Sequence, residues 1–392
     1  MQGLQNIPIV HATTVHPWWD NRVSNKMVNQ LARSGLQVYF IVNSYPVNER
    51  PALSNLHIIT LDQKTGFTGI RERIRKNLLT YKAVRKLPEK GIFHFHDPEM
   101  IFIAALLRLQ GWKIVYDIHE DLYQDIAQKP YLGSIAQKVM PQLFRIIEKS
   151  IIIPFGFTQV IAEKTYRSRY PKATTLLNYP EKSHTPANNH RNNMQRINLL
   201  YSGVIQKNRG TNLLKPILQT DPAIHITLIG RCSNKLQQEI EQDCCDHRSQ
   251  LTMITHPDGI PFREIIAAYR QGNWTAGMVI FPDTPLYKNK EPTKFFEYIQ
   301  FSIPILASDF PLWRDFVGKQ RIGLCINPNP EYIQSSLASA LEIFRDRQQW
   351  ESMRNNCKKL ATQYSWESQQ QKLIQLYKEI SKTKEHRQIS KC

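Results

Sequence analysis

The chain has 392 residues, of which 41% are apolar, and this is ordinary for a soluble globular protein of two or three domains. Its net charge of +18 is not ordinary and indicates an anionic partner, either nucleic acid, anionic lipid or a phosphorylated substrate. The six cysteines form no CxxC pair and match no common zinc spacing, so neither a metal site nor a disulfide framework is expected. With no signal-peptide pattern and no apolar run long enough to span a bilayer, a cytoplasmic location is expected.

Residues 7–45 alternate between strand, helix and strand patterns. The apolar segments IPIVHA and LQVYFIVN predict two strands, and VSNKMVNQLARSG between them has helical spacing. This βαβ beginning predicts a parallel sheet, whose ligands bind beyond the carboxyl ends of the strands. The loop from Thr13 to Arg22, which contains Asp20, is therefore a candidate wall of a site.

Residues 70–87 form a basic segment with helical spacing, in which seven Lys or Arg residues accompany one acid. The apolar positions on one predicted face are Ile70, Ile74, Leu78, Tyr81 and Val84. Two interpretations remain open: a surface helix docked on its own domain, and a basic amphipathic helix lying on anionic lipid.

Polar side chains follow two further predicted strands, in GIFHFHDPEM and WKIVYDIHEDL. Parallel strands bring their carboxyl ends to one edge of a sheet, so the two clusters are expected to meet there. The cluster residues are His94, His96, Asp97, Glu99, Asp117, His119 and Glu120. A functional site is favoured, although Asp97 directly precedes a predicted helix and could instead be its N-cap.

Residues 181–196 are rich in Asn, Pro, Ser and charge, a composition typical of a linker. The strand–helix alternation restarts at INLLYSGV, which predicts a domain at 1–180 and a second at 197–365. A C-terminal helix at 366–382 is expected to pack back toward the first domain, followed by a tail at 383–392. The predicted fold class is α/β, with two Rossmann-like domains facing across a cleft.

The stretch from Asn289 to Arg314 predicts a loop, a helix, a strand and a second loop. Pro292 suits the first helical turn, and Lys294 lies in that turn. A cation is favourable there once an anion binds the helix N-terminus. Because Glu297 follows one turn later and can accept hydrogen bonds from sugar hydroxyls, the pair indicates a nucleotide diphosphate ligand.

The second domain places other small or cationic residues at predicted strand ends and helix starts. These residues are Gly203, Lys207, Arg209, Gly210, Gly230 and Arg231. The chain contains no GxGxxG or GKS/T phosphate loop and no Asp-x-Asp pair, which weakens dinucleotide, kinase and metal-diphosphate interpretations.

Several motifs together resemble a family 4 retaining glycosyltransferase of the type called GT-B. They are PTKFFEYIQFSIPILASDFPLWRD, YSGVIQKNRG with LIGR, VYDIHED, FHFHDPE and VHPWWDNR, in the order that the family shows, and they cover most of residues 7–380. The resemblance implies a hexosyltransferase that uses a nucleotide diphosphate sugar as donor, with no metal and no cofactor. It also implies a saccharide or lipid-linked hydroxyl acceptor, in bacterial surface polysaccharide or glycolipid synthesis. Contact with the inner face of the cell membrane through residues 70–87 fits such an acceptor, and nucleic acid is not expected as a partner.

The same resemblance implies roles for individual residues. Glu297 would hold the donor ribose, Lys294 and Arg209 would bind and stabilise the diphosphate, and His119 would lie beside the transferred sugar. These four are the expected catalytic residues. The other expected donor-binding residues are Gly203, Arg231, Asn289 and Glu291, where Asn289 replaces a glutamate common in the family. The expected acceptor-side residues are Asp20, Arg22, His96, Asp97, Glu99 and Asp117.

Two other function classes remain open. One is a basic membrane-binding or nucleic-acid-binding protein without catalysis, although the charge is dispersed along the chain rather than concentrated. The other is a nucleotide-sugar epimerase built on the same architecture.

Overall fold

A computed structural model describes residues 3–61, 70–119, 134–182, 191 and 193–382, which fall into two compact units. The first unit comprises Met1–Asn178 with Gln369–Cys392, and the second comprises Tyr179–Ser368. Glu120 and the predicted tail at 383–392 lie outside the described residues.

The first unit contains a seven-stranded sheet with the order β3-β2-β1-β4-β5-β6-β7, and its described strand pairs are parallel. The strands are Ile9–Ala12 (β1), Val38–Val42 (β2), Leu56–Thr60 (β3), Ile92–Phe95 (β4), Lys113–Ile118 (β5), Thr158–Ile161 (β6) and Thr174–Thr175 (β7). Strand β7 is short and lies at the edge of the sheet; just after it, the Leu176 N–H donates to the Ile161 carbonyl of β6 and the Leu177 N–H donates to the side chain of Gln369.

The second unit contains a six-stranded sheet with the order β10-β9-β8-β11-β12-β13, again with parallel pairs. The strands are Ile197–Ser202 (β8), Ile224–Arg231 (β9), Leu251–His256 (β10), Ala276–Val279 (β11), Ile305–Ser308 (β12) and Gly323–Ile326 (β13).

Helices connect the strands in both units. A π-type helix at Asn21–Asn29 continues into Gln30–Arg33 (α1). The others are Ile70–Arg85 (α2), Ile101–Leu109 (α3), Ser134–Ile152 (α4), Leu214–Thr220 (α5), Asn234–Asp243 (α6), Phe262–Gln271 (α7), Pro285–Lys288 (α8), Thr293–Gln300 (α9), Pro311–Gln320 (α10), Ile333–Arg345 (α11), Arg347–Leu360 (α12) and Trp366–Lys382 (α13). None of the described helices has the length and apolar character needed to cross a lipid bilayer.

The two faces of the first sheet have different coverings. Phe93 and Phe95 of β4 form one hydrophobic core with side chains of α2, α3 and α4, among them Val84, Leu107 and Ile152. Side chains alternate along a strand, so His94 lies on the opposite face, where it meets Tyr377 of α13.

Helix α2 buries a face that differs from the predicted one. Val84 is buried as expected, but Ile74 and Leu78 are more than half exposed, and Lys76 and Thr80 are buried instead. The buried polar groups are partly satisfied locally, since the Thr80 hydroxyl donates to the Lys76 carbonyl at 2.9 Å. Only part of the predicted apolar face is therefore buried, since Val84 and Tyr81 pack on the core and Ile74 and Leu78 do not.

Candidate functional site

Each sheet contains a point at which the strand order reverses. In the first sheet β1 lies between β2 and β4, and in the second β8 lies between β9 and β11. The crevice beyond the carboxyl ends of the strands at such a point is the usual ligand position in open α/β sheets. A ligand-binding site is therefore expected at the loops after β1, β4, β8 and β11.

Lys294 lies at the reversal point of the second sheet. Helix α9 begins at Thr293, and Pro292 is its N-cap rather than its first helical residue. The Lys294 side chain is 8% exposed, and its Nζ lies 5.0 Å from the centre of the Tyr201 ring. A Cβ on Gly203 would lie 3.0 Å from this Nζ, so the absence of a side chain at Gly203 makes room for the ammonium group.

Arg209 brings a second cation to the same place. It ends a 3₁₀ turn, Lys207–Arg209, before Gly210, whose φ of 85° favours glycine. The Arg209 Nε is buried and has no hydrogen-bond partner among the described residues. Burial lowers the pKa of Lys294 to about 8, with a further decrease from Arg209 that Glu297 opposes. Two adjacent cations, one with an unpartnered donor, are suited to an anion.

Glu297 is held in place by the hydroxyl of Tyr269, which in turn contacts the hydroxyl of Ser202. The Tyr269 hydroxyl donates to Glu297 Oε2 at 2.7 Å and lies 2.6 Å from the Ser202 hydroxyl. Because Tyr269 has a single hydroxyl proton and gives it to the carboxylate, Ser202 donates to Tyr269. Among the described residues none donates to Glu297 Oε1, which can therefore accept from a ligand.

The remaining predicted donor-binding residues are Arg231, Asn289 and Glu291, and the Arg231 backbone N–H donates to the Gly203 carbonyl of this cluster at 3.1 Å. The Arg231 Nε donates to the Pro257 carbonyl, and Arg231 lines a cavity of about 440 Å³ beside the start of α6. Asn289 is exposed at the end of α8. Glu291 is close enough to Tyr179 to add to the increase that burial causes in that tyrosine's pKa.

In the first unit, Asp97 and Glu99 organise the loop that follows β1. Asp97 Oδ2 accepts from the backbone N–H groups of Thr14 and Val15, at 2.5 and 3.2 Å. Glu99 accepts from the Thr14 hydroxyl and from Arg73. Asp97 occupies the N-cap position of the 3₁₀ turn Pro98–Met100, as the alternative had it, but its side chain forms no capping bond there and holds the loop after β1 instead.

Arg22 and Asp117 form a buried ion pair. Arg22 donates to both carboxylate oxygens, at 3.1 and 2.8 Å, and His96 Nδ1 lies 3.1 Å from Oδ2. Burial opposes ionisation of Asp117, but Arg22 holds the pKa of this carboxyl well below its usual range. The side chains of Arg22, Asp117 and His96 form hydrogen bonds with one another. Their predicted role on the acceptor side stays a prediction.

A chain of hydrogen bonds extends from Asp117 to the C-terminal helix. A carboxylate only accepts, so His96 Nδ1 carries a proton and its Nε2 accepts from His11 Nδ1 at 3.0 Å. His11 Nε2 then accepts from the Tyr377 hydroxyl at 3.2 Å, and the Tyr377 oxygen accepts from His94 Nδ1 at 2.5 Å. His94 Nε2 is left unprotonated, which agrees with its lack of a partner among the described residues.

Two of these histidines and Asp117 are close enough together to be considered as ligands of a metal ion. Ligand atoms of His94, His96 and Asp117 lie within 4.8 Å of one another. Both ring nitrogens of His96 already form hydrogen bonds, and Asp117 is paired with Arg22. A metal ion would have to displace this network, so the residues fit a hydrogen-bonded core better than a metal centre.

His119 and Asp20 meet at the edge of the same network. The His119 ring stacks on His16 at 4.5 Å, and its Nε2 donates to the His96 carbonyl at 3.1 Å. Burial lowers the pKa of His119 to about 4. Burial would raise the pKa of Asp20, but hydrogen bonds from His16 and the Val23 N–H lower it to about 2.

Sequence reasoning missed several residues that build these sites. Parallel register pairs His11 with His94, so a prediction of which strands are neighbours could have brought the two together. Tyr269 and Tyr377 carry no local signal, because each reaches its partner from a distant part of the chain.

No protein-family model and no curated protein sequence matches this chain. Solved structures do match, among them a glycosyltransferase from Rickettsia africae, with a TM-score of 0.69 and 13% identity over 96% of this chain and 99% of that one. WaaG, a glycosyltransferase involved in lipopolysaccharide biosynthesis, matches with a TM-score of 0.61 and 12% identity, over 94% and 99% of the chains. HepE of Anabaena, solved with UDP, matches with a TM-score of 0.63 and 11% identity, over 95% and 100%. At these identities the likeness is one of fold, and it confirms the predicted α/β class with two Rossmann-like domains of the GT-B type.

Proposed function

We propose that the chain is a glycosyltransferase that moves a sugar from a nucleotide diphosphate sugar to a hydroxyl acceptor. The observation that carries the proposal is the group of Lys294, Arg209 and Glu297 at the reversal point of the second sheet. Within the described part of the chain, the buried Arg209 Nε has no hydrogen-bond partner, and the Glu297 carboxylate accepts from Tyr269 through one oxygen and from no residue through the other. The GT-B fold of the structural neighbours, one of them solved with UDP, supports this choice of ligand.

Each of the three residues has a role that its contacts suit. Lys294 and Arg209 would bind the diphosphate and offset the negative charge that develops as the bond to the sugar breaks. Glu297 Oε1 would accept hydrogen bonds from the ribose hydroxyls. Transfer breaks the bond between the sugar carbon and the diphosphate oxygen and forms a bond to the acceptor oxygen, whose proton is released.

The finer features of the reaction rest on the sequence motifs. We propose membership of family 4, transfer of a hexose with retained configuration, and stabilisation of the leaving group by cations of the protein in place of a metal. His119, a half-buried residue, is proposed to lie beside the transferred sugar. Asp97 and Glu99 would act indirectly, by holding the loop after β1.

We further propose a saccharide or lipid-linked acceptor, in bacterial surface polysaccharide or glycolipid synthesis. One structural neighbour supports this choice, since WaaG is involved in lipopolysaccharide biosynthesis. A cytoplasmic protein at the inner face of the membrane would meet both a nucleotide sugar and such an acceptor.

Nucleotide binding tests the proposal directly. In a thermal-shift screen of UDP, ADP and GDP, at least one nucleotide should raise the melting temperature, because a ligand that binds the folded state stabilises it. Lys294→Ala should weaken binding of that nucleotide by more than tenfold, by loss of a charge-assisted contact worth about 1.5–3 kcal/mol. Lys319→Ala, which removes an exposed lysine of α10, is the matched control and should bind normally. If no nucleotide binds, or if Lys294→Ala binds as well as the wild type, the proposal fails.

The two alternatives give different results. Nuclear magnetic resonance of the nucleotide sugar without acceptor would detect an epimer if the chain were an epimerase, and the transferase proposal would then be wrong. A salt-sensitive affinity for DNA that exceeds the affinity for every nucleotide tested would favour the basic binding protein.

A further inference from the structure

Helices α2, α3 and α4 cover the same face of the first sheet. Val84 of α2, Leu107 of α3 and Ile152 of α4 belong to one core with Phe93 and Phe95 of that face. Arg108 at the end of α3 donates to the Phe155 carbonyl just beyond α4, and α3 also contacts α2. Because all three helices pack on one side of the sheet, their outer sides point in the same direction, away from the core.

The outer side of α2 combines apolar and basic side chains. Ile74 is 55% exposed and Leu78 is 53% exposed, although both are large and apolar. The exposed basic residues on this side are Arg71, Arg75, Lys82 and Arg85. Their spacing puts all six within about one third of the helix circumference, opposite the buried Thr80 and Val84.

The neighbouring helices extend this surface with apolar side chains. Phe102, Leu106 and Leu109 recur at helical spacing on the outer side of α3, and Leu109 is 73% exposed. On the outer side of α4 and just after it, the exposed apolar residues are Val139, Leu143, Ile146 and Ile153. We call these side chains, with those of α2, the outer surface of the first unit.

The charge of the outer surface has one sign. Arg145 and Lys149 are exposed on α4. Of the acids in the described parts of these helices, Glu148 is buried and accepts from Tyr170, and Glu72 pairs with Arg75. None of the described residues of the three helices is an exposed acid.

We propose that the outer surface docks on an anionic lipid bilayer, with the three helices lying in the plane of the interface. Large exposed apolar side chains mark interaction sites. On this surface they occur together with cations, and none of the described residues of the three helices is an exposed acid. Such a surface complements a bilayer, whose negatively charged headgroups lie above an apolar interior. A protein partner would instead be expected to meet both signs of charge. This surface deepens the membrane location given under the proposed function, on which it rests, and extends the basic helix predicted from sequence to three helices.

Sedimentation of the full chain with vesicles tests the proposal, without any nucleotide sugar. The wild type should bind vesicles of phosphatidylcholine and phosphatidylglycerol, and bind weakly to phosphatidylcholine alone. Arg71→Ala with Lys82→Ala should reduce the affinity for anionic vesicles by more than tenfold, at roughly fivefold for each charge removed. Phe102→Ser with Leu106→Ser should reduce the affinity for anionic vesicles by a similar factor. The binding that remains should fall more steeply with added salt than that of the wild type.

Matched substitutions on an exposed helix of the second unit serve as controls. Phe262→Ser and Arg263→Ala in α7 remove the same kinds of side chain and should leave vesicle binding unchanged. The proposal is overturned if the wild type does not bind anionic vesicles, or if the α7 variants lose as much binding as the α2 and α3 variants. It is also overturned if sedimentation shows a dimer that Phe102→Ser with Leu106→Ser dissociates, with no binding to lipid. Nucleotide binding by the same variants shows separately whether the proposed function stands.

Discussion

Acidification should destabilise the first unit, because its buried histidines remain neutral while the chain is folded. Burial lowers the pKa of His11 and of His94 well below the ordinary value, and lowers that of His96 to about 3 even though Asp117 opposes the decrease. Arg22, which faces Asp117, adds to the cost of a further positive charge there. In the unfolded chain each histidine titrates near pH ~6.5. The unfolded state therefore binds more protons below that pH, and stability falls as the pH falls.

The magnitude follows from proton linkage. Each histidine that stays neutral in the folded state lowers the free energy of unfolding by about 1.4 kcal/mol when the pH falls from about 7.5 to about 5.5. Protonation of the three buried histidines should together cost about 4 kcal/mol, and His119, whose pKa is lowered to about 4, should add about 1.4 kcal/mol. The total is a large share of the roughly 5–15 kcal/mol that folded proteins have. The loss continues at lower pH until the folded pKa is reached, which for His96 is about 3. Carboxylates contribute little in this window, because their unfolded pKa values lie near 4.

Urea titrations at the two pH values measure the effect, with hydrogen exchange of β1 and β4 to assign it to the first unit. His94→Asn keeps a donor for Tyr377 but removes one of four such titrating groups, so the pH-dependent loss should shrink by about a quarter. His256→Asn, at an exposed histidine of the second unit, should leave the loss unchanged. A wild-type midpoint that does not move between these pH values, or an unchanged loss in His94→Asn, would refute the reasoning.

Two further substitutions test the packing around each site. Tyr377→Phe should lower stability by roughly 2–5 kcal/mol, because His94 and His11 each lose a buried hydrogen-bond partner, and a urea midpoint equal to that of the wild type would contradict the hydrogen-bond chain. Gly230→Ala should lower the melting temperature, since its φ is 144° and a Cβ would lie 2.0 Å from a backbone oxygen of the loop after β8. Gly318→Ala, where the structure offers open space within α10, should instead raise stability by up to about 1 kcal/mol, and a decrease there would contradict the comparison.

The parts of the site that sequence predicted are local ones. Lys294 and Glu297 are one helical turn apart, so helical spacing alone places them on the same side of α9. The fold class followed from strand–helix alternation, which depends on neighbouring residues. In both cases the physical cause acts within a few residues of the chain.

The parts that sequence did not predict depend on distant partners. Arg22 and Asp117 read as two ligand-facing charges, because nothing local reveals that they neutralise each other across 95 positions. The sequence also left open which side of α2 is buried, because this depends on the distant elements that pack against the helix. Lys76 and Thr80 are buried, while Ile74 and Leu78 stay exposed.

The first unit is assembled from two separate parts of the chain, and this affects how it can fold during synthesis. The residues up to Asn178 are made early, but those from Gln369 onward, including Tyr377, come last. At roughly 5–20 residues per second, the ribosome needs about 10–40 s to make the intervening stretch. During that interval His94 and His11 lack the hydroxyl that joins them, whereas the second unit is contiguous. The unit that emerges first is therefore the one that is completed last.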